Sequence, residues 1–382
     1  MFKYNQFFYQ NIITFILVLN IYKNFFNSIS IMKIGFHYRE LVKKCFYDIK
    51  SDIIKTSLDY SKVLSNKYKT NVYIKREDQQ IVRSFKIRGA INKIKNTDSD
   101  TIVTASAGNH AQGVAYSCNK LNIFGNIFVP KTTPLQKIDR IKYFGKNNIK
   151  IHSYGDNFTQ CLDKSLEYSK KNNEPFVHPY DDKHVINGQA TIGYEIYEDI
   201  KPDIILCCVG GGGLISGISL YSKSIDENVE IYGIESEGAA SLKTSLNRGK
   251  NIKLDSIDTF VDGASVAKIG DLNFEICNRY VEDVFTVSNE RLCHELINQY
   301  QNEGIILEPA GGLSLCGLDF IKKRYEEKQE SLENKNIVCI LSGSNNDISR
   351  YSEIMELNLK YLNLKHYFIL QFNQKPKELK RF

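Results

Sequence analysis

The chain has 382 residues, 42% hydrophobic and 25% charged, an ordinary globular composition with room for two or three compact units. Its formal charge of +6 sits at the ends: Lys3 and Lys23 with no acid give +2 over residues 1–31, and six Lys/Arg against Glu356 and Glu378 give +4 over 355–382. The near-neutral body that remains excludes the concentrated basic face of a nucleic-acid footprint.

The run Ile12 to Ile21, broken by Thr14 and Asn20, is too short to span a membrane. No small-residue cleavage site follows it, so residues 1–31 read as a weakly ordered extension ahead of a working start at Met32. The acid-free composition also admits a mitochondrial or plastid presequence. From residue 70 onward, strand-like and helical runs alternate. The pattern predicts strands at 72–75, 101–105, 126–129, 150–153, 203–209, 230–234 and 337–341. It predicts helices at 86–94, 109–119, 134–144 and 157–172 and from Leu214, with a solvated charged stretch at 322–335. Such alternation argues for an α/β fold of parallel strands with helices on both faces. Nine scattered cysteines without a Cys-x-x-Cys, and seven histidines without ligand spacing, give no metal site; the thiols fit a reduced cytoplasmic core.

In open α/β sheets ligands collect at the carboxyl ends of strands, where the glycine- and serine-rich turns of this sequence fall. The stretch Ser84-Phe85-Lys86 places a lysine at a helix start, where the dipole lowers its pKa and favours a neutral, carbonyl-reactive amine. Ser106-Ala107-Gly108-Asn109-His110 follows a strand and opens a helix, an arrangement whose free amides suit a carboxylate. Gly210-Gly211-Gly212-Gly213-Leu214 follows the buried strand 203–209 and suits a phosphate. It lacks the lysine of a Walker loop, and no frame gives the Gly-x-Gly-x-x-Gly of a dinucleotide site, although Glu235 keeps a nicotinamide reading alive. Glu308-Pro309-Ala310-Gly311-Gly312 reads as helix initiation, and Ser342 follows the last strand. An aldehyde-reactive lysine, a monophosphate loop and a hydroxyl at a neighbouring strand end add up to pyridoxal phosphate.

With these turns in order, residues 51–382 resemble the threonine dehydratases of the fold-type-II pyridoxal-phosphate enzymes. The resemblance implies an α/β chain with open parallel-sheet cores and flanking helices. It implies a catalytic domain over 32–354, with a smaller subdomain at roughly 90–183 inserted in the larger one. It further implies that Lys86 carries the cofactor and acts as base, that Phe85 lies beside the ring, and that Asn109 bonds the ring hydroxyl. Gly210, Gly211, Gly212, Gly213 and Leu214 would hold the phosphate, and Ser342 would meet the ring nitrogen. The Ser106, Ala107, Gly108, Asn109, His110 turn would take the substrate carboxylate, with His110 packed or capping. Ser84 is a candidate second proton-transfer group. The implied reaction converts threonine to 2-oxobutanoate and ammonia, the entry to isoleucine biosynthesis, in a homo-oligomer. Serine dehydratase or racemase activity is the rival within the fold, and an inactive amino-acid-binding relative the rival outside it. Some relatives hold a divalent cation beside a residue like Glu235; Ala239-Ala240-Ser241 offers no second carboxylate, so no metal is expected. Lys365 to Phe372 resembles the first strand of a regulatory module over 355–382 that stops at Phe382, which implies impaired isoleucine feedback.

Overall fold

The computed structural model describes residues 37–371. In chain order the elements are α1 (37–49), β1 (Leu58–Tyr60), α2 (Lys62–Tyr68), β2 (Asn71–Lys75), α3 (Lys86–Lys95), β3 (Thr101–Ala105) and α4 (Asn109–Leu121). There follow β4 (Phe124–Val129), α5 (Leu135–Gly145), β5 (Ile149–Ser153), α6 (Phe158–Asn172), α7 (Lys183–Asp199), β6 (Ile204–Cys208), α8 (Gly213–Ile225) and β7 (Glu230–Ser236). The last are α9 (Ser241–Arg248), α10 (Asp271–Tyr280), β8 (Asp283–Val287), α11 (Asn289–Glu303), α12 (Pro309–Glu327), β9 (Asn336–Ile340) and α13 (Tyr351–Tyr361). Every strand anticipated between residues 72 and 341 is present, its ends within two residues of those expected. Among the described residues no helix is long and apolar enough to cross a membrane.

The strands form two sheets. Six run in the order β1-β2-β9-β6-β7-β8, parallel except for β1, and three run β3-β4-β5, all parallel. In the larger sheet β9 lies between β2 and β6, so Ile337 pairs with both Val72 and Ile204. The all-apolar β6 is buried along its whole length, the pattern of a strand covered on both faces. One buried core surrounds the large sheet, including Ile204 to Val209 and Ile337 to Leu341; a second, including Ile102, Val114 and Ile127, fills the small one.

Helix α7 was not anticipated. Its sequence carries Gly188, Thr191 and Gly193, poor helix formers, and tertiary contact overrides that preference. A Cβ on Gly188 would stand 2.5 Å from the Arg88 carbonyl oxygen, and one on Gly89 would stand 2.9 Å from the Val185 carbonyl oxygen. Bare glycines let α3 and α7 touch backbone to backbone. The contact is locked by charge. The fully buried Arg88 guanidinium donates to both oxygens of Glu77 (2.7 and 2.8 Å) and both of Glu195 (2.7 and 2.8 Å). Lys75 on β2 adds a bond to Glu195 at 2.7 Å, and Thr56 adds one to Glu77 at 2.6 Å. Burial alone would raise the Glu77 carboxyl, but Arg88 and Lys75 outweigh it and hold the group below its ordinary value.

The anticipated first strand of a tail module falls only partly within the described residues. Residues 365–371 form no ladder with any described strand and leave Phe368 and Ile369 exposed. The expected extension at 1–31 and the rest of the anticipated tail module lie outside the described residues. Replacing Glu195 by leucine leaves two buried cations with one anion. The variant is expected to lose about 3–5 kcal/mol of stability, read from urea denaturation, whereas an exposed pair such as Lys323–Glu327 changes it by less than about 1 kcal/mol.

Candidate active site

The carboxyl ends of β6 and β9, the start of α3, the start of α4 and the 179–180 connector meet at one cleft. It is lined by Phe85, Lys86, Asn109, Tyr180, Gly210 to Leu214, Glu308 and Ser342, among others. Lys86 is the first residue of α3 and donates to the Pro179 carbonyl oxygen at 3.0 Å. Burial lowers its amine to about 8, against the opposing influence of Cys208 and Glu308. The depressed amine expected from the helix dipole is present, but enclosure is its main cause. Phe85 ties the helix start to the larger sheet through its N–H, which donates to the Ser342 carbonyl oxygen at 3.1 Å.

The glycine loop between β6 and α8 is shaped by what presses on it. A Cβ on Gly211 would fall 2.2 Å from atoms of the Tyr180 ring, and Gly212 has φ +91°, a conformation that favours glycine. Asn273 braces the loop by donating to the carbonyl oxygens of Tyr180 (3.1 Å) and Gly211 (2.9 Å). The first amides of α8 have no intrahelical acceptor and lie at the positive end of its dipole, which makes the loop a cradle for an anion. Across the cleft, Ser342 is buried and its hydroxyl donates to the Ala310 carbonyl oxygen at 3.1 Å. Cys208 lies beside it with its thiol raised to about 11, chiefly by burial.

Asn109 opens α4 and lines the cleft, whereas Ser106, Ala107, Gly108 and His110 lie outside its lining. The Ser106 hydroxyl accepts from the Gly108 N–H at 3.2 Å, and space around Gly108 is open. His110 is buried, with Nε2 donating to the Val177 carbonyl oxygen at 3.0 Å. Burial, then Lys86, pushes it to about 3, so it is a neutral packed histidine. Ser84 is fully buried, paired by a strand bridge to Gly343, and does not line the cleft. Glu235 spends its carboxylate on the start of α9, accepting from Leu242 N–H (2.8 Å) and Lys243 N–H (2.9 Å).

Tyr180, Gln189 and Glu308 are among the cleft residues not singled out as site residues from the sequence. Glu308 was visible only as the head of a helix-initiating turn. In the fold its buried carboxylate accepts from Asn109 Nδ2 at 2.6 Å, and burial raises it to about 7.

Residues 49–343 match the family model described as pyridoxal-phosphate dependent enzyme. The chain is 45% identical over 340 residues to the biosynthetic L-threonine dehydratase IlvA of Halalkalibacterium halodurans, covering 87% of this chain and 80% of that one. It is 43% identical over 351 residues to the same enzyme of Staphylococcus epidermidis, covering 89% and 82%. Among solved structures it is similar to the processed form of threonine deaminase isoform 2 from Solanum lycopersicum, with a TM-score of 0.79 and 37% identity over 85% of this chain and 93% of that one. Maize serine racemase follows with a TM-score of 0.76 and 27% identity over 85% and 98%. The amine, the anion cradle and the strand-end hydroxyl fit the cofactor that the family model names. Because a Cβ at Gly211 displaces the Tyr180 ring, Gly211→Ala is expected to weaken pyridoxal-phosphate binding at least about tenfold, measured by absorbance titration.

Proposed function

Because the chain belongs to the pyridoxal-phosphate dependent enzymes, and within them to the threonine dehydratases, we propose that the cleft at Lys86 converts L-threonine to 2-oxobutanoate and ammonia. The observation that carries this reading is the enclosure of the Lys86 amine, lowered to about 8, opposite the Gly210–Leu214 cradle. Bound there, pyridoxal phosphate supplies an electron sink that acidifies the Cα–H of an amino acid.

The chain's own residues do the rest. Backbone amides at Gly210 to Leu214 would hold the phosphate at the start of α8. Phe85 would pack beside the ring, the Asn109 amide would donate to the ring oxygen, and the Ser342 hydroxyl would serve the ring nitrogen. The open amides around Ser106 to Gly108, at the start of α4, receive the substrate carboxylate. Lys86, once free, takes the α-proton, which an amine does only when neutral. The α-proton and the β-hydroxyl together leave as water, and a second water hydrolyses the resulting enamine to the oxo acid and ammonia. Ser342 is neutral, so it would not hold the ring nitrogen protonated, which would moderate the sink and favour elimination over transamination. Ser84, being outside the cleft lining, is given no step.

Serine is the second substrate to compare, because serine racemase is among the similar structures. The cytoplasm is the proposed location, supported by nine buried, unpaired cysteines, and the assembly is proposed to be a homo-oligomer. The test is release of 2-oxobutanoate from threonine, and of pyruvate from serine, by wild type and Lys86→Ala. The variant is expected to lose about 10²–10⁴-fold in rate; full activity in it would remove Lys86 from the mechanism. Since the neutral amine is the working form, the wild-type rate is expected to rise with pH through about 8 and level off above it.

A further inference from the structure

Glu308 sits at the head of α12, 5% exposed, and reaches into the cleft that holds Lys86. Its Oε1 accepts from Asn109 Nδ2 at 2.6 Å, while Asn109 Oδ1 accepts from Asn345 Nδ2 at 2.7 Å. Asn345 Nδ2 also donates to the carbonyl oxygen of Val82, four residues before Lys86, at 2.8 Å. A side-chain amide has one accepting and one donating end. Here a donor engages the oxygen of Asn109 and an acceptor engages its nitrogen, so its orientation is fixed from both sides. One N–H of Asn109 goes to Glu308, and the second is left for the cleft. Glycines make room for this. A Cβ on Gly343 would stand 2.4 Å from Glu308 Oε1, and one on Gly311 would stand 2.1 Å from the Gly343 carbonyl oxygen.

We propose that Glu308 is a positioning residue that holds Asn109 as a donor toward the cofactor ring and couples its own protonation to the state of the bound cofactor. The proposal rests on the reading of the cleft as a pyridoxal-phosphate site. Burial is the main influence on the carboxyl and, with Asp262, raises it to about 7 against the Asn109 bond, Lys137 and the Asn345 backbone. Lys137 of α5 and Asp262 are paired with each other at 2.5 Å, and Arg350 stands 4.0 Å from Asp262. Across the cleft the carboxyl faces Lys86 and Cys208, each of which feels its charge. Below about 7 Glu308 is a neutral acid. Above it, the carboxylate accepts more strongly from Asn109 and favours the protonated form of the Lys86 nitrogen.

The experiment loads wild type, Glu308→Gln and Glu308→Leu with pyridoxal phosphate. For each it records the visible absorbance across neutral pH and the cofactor dissociation constant by fluorescence. Wild type is expected to show an inflection near 7. Glu308→Gln, which still accepts from Asn109, is expected to bind within about threefold and to lose the inflection. Glu308→Leu, which cannot hold the amide, is expected to bind about tenfold more weakly. A Glu308→Gln titration that keeps the wild-type inflection, or wild-type affinity in Glu308→Leu, would overturn the proposal. A wild type that takes up no cofactor would instead overturn the reading on which it rests.

Discussion

Two buried carboxylates are fastened to one guanidinium, and the remainder of the structure is arranged to permit it. Arg88 is two residues beyond Lys86 on the same helix, so whatever fixes Arg88 fixes the direction in which the Lys86 amine emerges. Glu77 approaches from the segment after β2 and Glu195 from α7, and Lys75 and Thr56 satisfy what is left over. Two positive and two negative side chains leave the cluster neutral, the condition under which such a group survives without water. A hydrophobic plug would fill the space at least as cheaply. The directional bonds accomplish something packing cannot, because they allow one rotation of α3 against α7.

The geometry of the cleft then follows from close approach. Gly89 and Gly188 bring α3 against α7, Gly211 accepts the Tyr180 ring, and Gly311 lets the start of α12 meet the turn after β9. These contacts place four chain segments, far apart in sequence, within reach of one small molecule. The larger sheet contributes the anion cradle and the Ser342 hydroxyl; the start of α4, entering from beside the smaller sheet, contributes Asn109.

Much of this could be read from the sequence, and the reason is local. A buried parallel strand is an apolar run, and a ligand-binding turn after it must be small, so Val209 to Leu214 and Ala105 to Asn109 announce themselves within a few residues. Lys86 could be read as reactive because its neighbours in the turns gave it a cofactor. What escaped is non-local. Glu308 matters through Asn109, 199 positions away. Tyr180 matters because its ring lies against a glycine 31 residues later, and no spacing rule connects the two. Helix α7 was hidden by glycines that lower helix preference and exist for packing. The unpaired segment at 365–371 shows the converse: alternation of side chains is written in the chain, but a strand's partner is not.

The position of β9 carries a consequence for how the molecule comes into being. Strand β2 and the reactive lysine leave the ribosome early, yet the place beside β2 stays empty until Asn336 to Ile340 has been made. Until then β2 exposes an unpaired edge, and the cleft lacks Glu308 and Ser342. The small sheet, whose strands all lie between residues 101 and 153, closes on itself far sooner. Synthesis therefore delivers one finished core alongside a long-lived open one. The cleft lining is complete only once Ser342 has emerged, so a ligand captured there would be a late seal on folding rather than a seed for it.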